Sequence, residues 1–309
     1  MNQVRFIEVD SEYAGQRLDN FLVRELKGVP RTRIYRALRK GEIRVNKGRV
    51  KGDYRLCESD SIRIPPLRVA ERDERSEVPR RWSGLLDDHL IYEDPGLLVI
   101  DKPSGLAVHG GSGLDAGMIE CLRLLRPQSK YLELVHRLDR DTSGCVLVAK
   151  KSSVLRELHR QLREDKVGKR YLALVAGRWS PRRSFVEAPL KKNTLKSGER
   201  MVRVDREGKP SRTEFSIVER LGDATLVEAR PVTGRTHQIR VHCLQAGHPI
   251  LGDPKYGDRD ANQWAAERGL KRLFLHAAGL SFRLPSGERL ELSAPLDESL
   301  ENVLSRLRS

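Results

Sequence analysis

The sequence has no long hydrophobic run. Nowhere do about 18 apolar residues follow one another, which is the least that a membrane-spanning helix needs. The first six residues, Met1–Phe6, also lack the apolar core of a secretory signal peptide. We therefore expect a cytoplasmic protein that does not insert into a membrane. A chain of 309 residues, of which 38% are hydrophobic, can still bury a substantial core in one or two domains.

Cysteine is also scarce, and no pair has the C-x-x-C spacing of a metal or redox site. His242 is adjacent to Cys243, but neighbours in sequence on a helix point in different directions. We therefore interpret the cysteines as reduced, mostly buried thiols and expect no metal site. The chain also lacks internal repeats and the G-x-x-x-x-G-K-[ST] motif of nucleotide-binding loops. The cysteines are Cys57, Cys121, Cys145 and Cys243.

Acidic residues are outnumbered by basic ones. The chain has 43 Asp and Glu against 58 Lys and Arg, and its formal net charge is +15. Such an excess favours a polyanionic partner. RNA, DNA and an anionic membrane are the classes that qualify, and the membrane is the least favoured of them. Nine basic residues lie between Arg31 and Lys51, where Glu42 is the only acid. A solvated helix face is the common outcome for mixed charges, but clustering of one sign favours contacts with phosphates.

The pattern of apolar residues divides the chain into residues 1–66, a linker over residues 67–88, and residues 89–309. The first part predicts a small α/β domain with a helix over Arg31–Lys40, in which Ile34, Ala37 and Leu38 share one face. The linker is predicted because Pro65 and Pro66 end a strand and the following charged run has no apolar period. Residues 89–309 predict an α+β plan. Its main elements are strands at Leu97–Lys102, Tyr131–Val135, Cys145–Ala149, Lys169–Gly177, Thr225–Arg230, Leu273–Phe282 and Arg289–Ala294, and helices at Gly113–Leu125, Ser152–Asp165, Arg235–Ala246 and from Asp297.

The polar stretch His136–Gly144 lies between two of these strands and is predicted to be a loop held by rigid elements. Arg137 and Arg140 flank Asp139, and two neighbouring cations favour its ionised form. An ionised carboxylate can attack a sugar carbon or a polarised ring without a partner base. On charge pattern alone, a plain surface turn is the more frequent outcome.

The letters His-Arg-Leu-Asp-Arg-Asp-Thr-Ser-Gly of this stretch resemble the catalytic motif of the RluA-type pseudouridine synthases. Residues 1–66 resemble an S4 RNA-binding domain, although Ser59 stands where that family usually has glycine. Further stretches that resemble the synthase family are Tyr92–Gly105, Lys169–Gly177, Thr233–Arg240, Gly247–Ile250 and Gly252–Gly257.

The resemblance implies an α+β fold with a mixed, mainly antiparallel sheet and an isomerase activity on uridines of 23S ribosomal RNA. The enzyme would break the N-glycosidic bond, turn the uracil and join its C5 to the ribose C1′, with no cofactor and no metal. Asp139 is implied to be the essential carboxylate, Tyr171 to stack on the uracil, and Arg240 to ion-pair with Asp139. From the residues alone, a strand tyrosine such as Tyr171 is more often a core or edge packing residue, and Arg240 could be a phosphate-binding or surface arginine.

The same resemblance implies how the RNA is held. A uridine inside folded RNA must be flipped out, and Arg137 would fill the gap that it leaves. Arg235 and Lys102 would hold flanking phosphates. We expect ribosomal RNA as the partner and a monomeric enzyme, and leave His136, His237 and His242 out of the catalytic set. The S4-like helix would supply Arg31, Arg33, Arg36, Arg39 and Lys40.

Two other functions are compatible with parts of this sequence. A non-catalytic RNA-binding factor of ribosome assembly would use the S4-like module and the basic surface alone. It would not need Asp139, Tyr171 and Arg240, so these residues argue against it. A uridine-specific hydrolase would use the same carboxylate but would release free uracil.

Overall fold

The computed structural model of the protein describes residues 3–26, 28–67, 78–110, 117–194 and 200–309. The chain divides into two compact units, one of residues 1–77 with 151–153 and the other of residues 78–150 with 154–309. Residues 68–77, which belong to the predicted linker, lie outside the described residues. In the described ranges, no helix has the length and apolarity needed to cross a bilayer.

The described part of the first unit consists of short strands and two helices. The elements are β1 (Arg5–Glu8), α1 (Leu18–Glu25), α2 (Arg31–Arg39), β2 (Arg44–Val45), β3 (Gly48–Arg49) and β4 (Ser61–Ile64). The strands form one antiparallel sheet, in which β4 pairs with both β1 and β2.

Helix α2 shows how the sequence builds this unit. Its predicted apolar face, Ile34, Ala37 and Leu38, is buried in the core, while most of the remaining positions are basic. The turn between β2 and β3 is made by Asn46 and Lys47, which both have positive φ. Two such residues give the type I′ turn that matches the twist of a hairpin. The predicted helix is therefore confirmed.

Ser59 is the position where S4 domains usually have glycine. Its φ is 65°, in the left-handed region that glycine adopts without steric cost. The turn forms with serine all the same, and its amide donates to the Val9 carbonyl at 2.8 Å. The substitution therefore costs about 1 kcal/mol of backbone strain without changing the turn.

The described part of the second unit is organised around one large sheet. The elements are α3 (Leu85–His89), β5 (Leu90–Glu93), β6 (Leu97–Lys102), α4 (Met118–Leu125), β7 (Glu133–Leu134), β8 (Ser143–Ala149), α5 (Ser152–Arg163), β9 (Gly168–Ala176), β10 (Phe185–Glu187), β11 (Leu190–Thr194), β12 (Arg200–Val204), β13 (Arg212–Leu221), β14 (Ala224–Pro231), α6 (Gln238–Gln245), α7 (Arg259–Glu267), β15 (Leu275–Arg283), β16 (Arg289–Ser293) and α8 (Glu298–Arg308).

The strand order in the large sheet is β10–β13–β14–β9–β15–β8–β6–β5, with β16 added to β15 and β7 added to β8. All pairs are antiparallel except β15 with β8, so the predicted mixed, mainly antiparallel α+β fold is confirmed. Strands β11 and β12 form a separate antiparallel pair.

Some elements differ from the sequence prediction. Helix α3 begins inside the predicted linker and ends one residue beyond it, and its Leu85 and Leu86 are buried in the core of the second unit. Strand β13 was not predicted, although Thr213, Phe215 and Leu221 follow the period of two that marks a strand with one buried face. The start of the helix predicted at Gly113 lies outside the described residues, and α4 begins at Met118.

Candidate active site

The loop that carries Asp139 is short and fastened at both ends. It runs from residue 135 to residue 142, because the last two residues of the predicted stretch, Ser143 and Gly144, already belong to β8. Gly144 has a φ of 108° and pairs with Ala277 of β15, whose backbone would collide with any Cβ at this position. The motif therefore ends in glycine because two strands meet there at close range.

Hydrogen bonds hold this loop against its neighbours. The Nε2 atom of His136 accepts the Leu147 amide at 3.1 Å, and Ser104 Oγ donates to the Asp141 carbonyl at 2.8 Å. Burial lowers the pKa of His136 to about 4, so this histidine is neutral and structural at neutral pH. The side chain of Asp139 is left 28% exposed on a backbone that is held in place.

Lys102 does not lie where a phosphate could reach it, so its predicted RNA contact is wrong. The residue is fully buried, and its Nζ donates to the carbonyls of Pro103, Leu106 and Arg140 at 2.8–3.0 Å. Burial, together with the charge of Arg272, lowers its pKa to about 7. Because Arg140 follows Asp139 directly, Lys102 fastens the loop that holds the carboxylate. Sequence reasoning missed this, since nothing in the local pattern shows that the end of β6 is covered.

Arg240 approaches Asp139 from α6, but it is not primarily Asp139's partner. Its Nη1 lies 3.4 Å from Asp139 Oδ2, whereas its Nε and Nη2 each lie 2.7 Å from an oxygen of Asp253. Arg240 and Asp253 are both buried, and Asp253 also accepts the amides of Lys255 and Tyr256. The expected ion pair between Arg240 and Asp139 is therefore the longer of the two contacts that Arg240 makes with carboxylates. The shorter contact is with Asp253, which sequence reasoning did not single out.

The charges of Asp139, Arg240 and Asp253 leave one negative charge in excess. Burial opposes ionisation of both Asp253 and Arg240, but their mutual hydrogen bonds and attraction lower the pKa of Asp253 and raise that of Arg240. Arg240 is thus neutralised by Asp253 and only oriented toward Asp139. In the described part of the chain, the hydrogen-bond donors that reach Asp139 from other elements approach Oδ2, and Oδ1 faces none of them.

Tyr171 lies on β9, opposite Ala229 of β14, and is partly buried. It packs against both apolar clusters that flank the sheet, one on the side of β6 and β8 and one on the side of α6. Burial, and next the negative charge of Asp139, raise its pKa above the ordinary value of a phenol. The ring is therefore uncharged at neutral pH and close enough to Asp139 to be affected by its charge.

Two further histidines were left out of the predicted catalytic set, and the structure separates them. His242 is buried between Ser211 and Thr213 and serves the packing of α6 against β13. His237 precedes α6 in a left-handed conformation, with φ 52°, and its Nε2 lies 3.8 Å from Asp139 Oδ2. The αL position of His237 has no signal in the sequence.

Comparison with known proteins identifies the family of this chain. A family model described as RNA pseudouridylate synthase matches residues 96–245, and an S4 domain model matches residues 16–62. The ribosomal large subunit pseudouridine synthase C of Escherichia coli strain K12 is 57% identical over 310 residues, which cover 99% of this chain and 97% of that protein. The protein of the same name from Yersinia pestis is 56% identical, with coverages of 99% and 96%. This chain belongs to the RNA pseudouridylate synthase family.

Solved structures agree with this membership. Human RNA pseudouridylate synthase domain containing 4 matches with a TM-score of 0.61 and 28% identity, over 74% of this chain and 96% of that one. Human RNA pseudouridylate synthase domain containing 1 matches with a TM-score of 0.56 and 28% identity, over 72% and 94%. The protein is thus a pseudouridine synthase with an N-terminal S4 domain, and both predicted memberships are confirmed.

Two of the arginines expected to contact RNA in the synthase unit are exposed. The structure shows no partner for Arg137 among the described residues, and it lies two positions before Asp139. Arg235 is exposed and donates from Nε to the Pro210 carbonyl at 3.2 Å. Both guanidinium groups can therefore meet an RNA strand.

The five residues of the S4 domain that were expected to contact RNA lie on α2 and, in the case of Lys40, directly after it. Arg31, Arg36, Arg39 and Lys40 are exposed, whereas Arg33 donates to Glu42 at 2.8 Å. Glu42 is the only acid of this basic segment. Arg33 is therefore the least available of the five to a phosphate.

Proposed function

We propose that this pseudouridine synthase isomerises specific uridines of 23S ribosomal RNA. The proposal is supported by relatives named for the ribosomal large subunit, which match 99% of the chain, and by the S4 domain. The enzyme would act as a monomer in the cytoplasm, where ribosomal RNA is made and assembled. Its RNA-binding domain would comprise residues 1–66, and its catalytic domain would comprise residues 89–309 together with α3, whose Leu85 and Leu86 belong to the core of the second unit.

In this proposal Asp139 is the essential carboxylate. The observation that supports it best is the surplus negative charge on Asp139, since Arg240 is already neutralised by Asp253. A carboxylate whose Oδ2 faces Arg240, and whose Oδ1 faces no donor from another element among the described residues, is oriented without being neutralised. Such a group can add to uracil C6 or act on the ribose as positive charge develops at C1′.

Both routes balance without a cofactor or metal. The N1–C1′ bond breaks, the C5–C1′ bond forms, the C5 proton leaves to solvent, and N1 takes up a proton. Water must be kept from C1′ until the uracil has turned. Tyr171 would stack on the uracil as a neutral ring, and Arg240 would hold the carboxylate in place.

RNA would be held by exposed cations of both units. Arg137 would fill the gap left by the flipped uridine, and Arg235 would contact a flanking phosphate. On α2, the contacts would come from Arg31, Arg36, Arg39 and Lys40, and to a smaller extent from Arg33.

The test compares two carboxylates of the same loop. Asp139→Asn is expected to fold and bind RNA but to lower tritium release from C5-labelled uridine in large-subunit ribosomal RNA by more than about a thousandfold. Asp141→Asn is the matched control, because in the described part of the chain the Asp141 carboxylate pairs with the exposed Arg140 alone, at 3.1 Å. It should keep most of the activity.

Three results would contradict the proposal. Wild-type release by Asp139→Asn would remove the carboxylate from the mechanism. Free uracil as the product would make the protein a hydrolase. RNA binding without tritium release by the wild type, together with unchanged pseudouridine in ribosomal RNA of a deletion strain, would make it a non-catalytic assembly factor.

A further inference from the structure

His237 bridges the space between Tyr256 and Asp139. Its Nδ1 lies 2.8 Å from the Tyr256 hydroxyl, and its Nε2 lies 3.8 Å from Asp139 Oδ2. The imidazole and the phenol meet edge to face, with centroids 5.6 Å apart, and the Arg240 guanidinium lies over the same phenol ring at 5.1 Å. Three side chains around Asp139 are thus packed on one another.

The hydrogen bonds of Tyr256 determine which nitrogen of His237 carries the proton. The Tyr256 oxygen accepts the Val202 amide at 2.8 Å, so its own proton remains to be donated. His237 Nδ1 is its neighbour at 2.8 Å and accepts that proton, which places the imidazole hydrogen on Nε2. The reverse arrangement would leave the phenol proton without an acceptor in the described part of the chain.

Burial keeps the His237 ring neutral, and the charges around it act in both directions. Burial lowers the pKa of His237, and the cations Arg240 and Lys255 act in the same direction, against the carboxylates Asp139 and Asp253. A neutral ring with hydrogen on Nε2 can donate to Asp139 without neutralising its charge. A second full cation at this place would instead lower the reactivity of the carboxylate.

Arg240 and His237 approach the same carboxylate oxygen. The distances to Oδ2 are 3.4 Å from Arg240 Nη1 and 3.8 Å from His237 Nε2, both longer than a good hydrogen bond. Catalytic hydrogen bonds are often long in the free enzyme and shorten once substrate is bound. A small movement of the Asp139 side chain would complete both bonds and leave Oδ1 for the substrate.

We propose that His237 is a positioning residue whose neutral Nε2–H holds Oδ2 of Asp139 and so directs Oδ1 at the bound uridine. Tyr256 fixes the tautomer, and it is itself held by the backbone of β12. The inference rests on the proposed role of Asp139.

Two substitutions of His237 separate this role from a merely structural one. In glutamine the side-chain nitrogen occupies the place of Nε2 and can still donate to Asp139. In asparagine the side chain reaches only as far as Nδ1, toward Tyr256. Backbone strain has the opposite effect on the two variants. His237 has φ 52°, and asparagine tolerates the left-handed region better than glutamine, so the asparagine variant is the less strained of the two.

The experiment measures single-turnover tritium release from C5-labelled large-subunit ribosomal RNA, with RNA affinity and thermal unfolding measured alongside. His237→Asn is expected to lose about 10- to 100-fold in rate and His237→Gln less than about tenfold, with RNA affinity unchanged in both. Asparagine should be at least as stable as glutamine. Equal losses, or a more active asparagine variant, would overturn the proposal.

A second measurement does not depend on activity. In the ¹⁵N-resolved histidine spectrum of the wild type at neutral pH, the proposal expects His237, identified by its loss in His237→Asn, to carry hydrogen on Nε2 alone. Hydrogen on Nδ1, or on both nitrogens, would overturn it. If the wild type releases no tritium from this RNA, the proposed function fails. The position of the hydrogen on His237 then still tests whether Nε2 can donate to Asp139.

Discussion

Helices α2 and α6 both carry arginines, and the protein uses them in opposite ways. On α2 the guanidinium groups of Arg31, Arg36 and Arg39 are exposed, so their charge is available to any phosphate that comes near. On α6 the guanidinium of Arg240 is buried and fixed between Asp253 and Asp139. An exposed arginine contributes attraction that salt screens, whereas a buried one contributes a fixed geometry that depends on its partner.

The largest expected effect comes from breaking the buried pair. Asp253→Asn leaves the Arg240 charge without its bidentate partner, so we expect a loss of about 3–5 kcal/mol in the free energy of unfolding. Arg240 would then be free to pair with Asp139, and activity should fall. Urea unfolding and tritium release measure the two effects.

An exposed pair with the same fork geometry is the matched control for this change. Arg308 donates from Nε and Nη2 to Glu219, with a shortest distance of 2.7 Å, at a partly exposed site. Glu219→Gln should cost less than about 1 kcal/mol. Equal losses in the two variants would show that burial does not distinguish these arginines.

The next effect concerns a buried histidine of the loop. The pKa of His136 is about 4 in the folded chain against about 6.5 when unfolded, so the unfolded chain binds more protons between these values. The contribution of His136 to stability should therefore rise with pH from about 4 to 6.5 and then level off, and it should amount to about 3 kcal/mol. Unfolding measured across this range tests the expectation.

The His136→Gln variant isolates that contribution, because a glutamine oxygen can accept the Leu147 amide without titrating. In this variant the slope of the free energy of unfolding against pH should become smaller but not vanish, since burial also lowers the pKa of His237, His242 and His276. His109 is exposed and provides the control, so His109→Gln should leave the slope as it is. An unchanged slope in His136→Gln would show that this histidine is not shielded as described.

The smallest expected effect concerns the exposed arginines of α2. Changing Arg36 and Arg39 together to Glu should weaken RNA binding and lower the slope of log affinity against log salt by about 1 for each phosphate that the variant no longer binds. Folding should be unaffected. Arg33→Gln is the internal control with a smaller effect, because Glu42 already engages that guanidinium. A salt slope that does not change would remove α2 from the RNA-binding surface.

Much of the fold could be predicted because its signals are local. The period of α2, the apolar runs of β6 and β8 and the two-residue turn at Asn46 and Lys47 each lie within a few neighbouring residues. Strand β13 carried a signal of the same kind that was not used. Helix α3 had no clear signal, because one short turn of helix is buried by what packs on it rather than by its own pattern.

The candidate site was predictable only in part. Asp139, Tyr171 and Arg240 were reached through motifs, and the structure places Asp139 and Arg240 within 3.4 Å of each other. Lys102 was misassigned because a lysine at the end of a strand is usually exposed, whereas here three carbonyls enclose it. Asp253 and His237 were passed over because their contacts with Arg240 and Asp139 join residues 13 and 98 positions apart.

By itself, the sequence determined most of the elements, the charge of the S4 domain and the identity of the loop that carries Asp139. These depend on periodicity, composition and contiguous motifs, which neighbouring residues specify without reference to the rest of the chain. Only the tertiary structure decided that Lys102 fastens the loop, that Asp253 neutralises Arg240, and that His237 faces Asp139. Each of these depends on burial and on distances between separate elements, and both exist only once β6, β8 and α6 have come together.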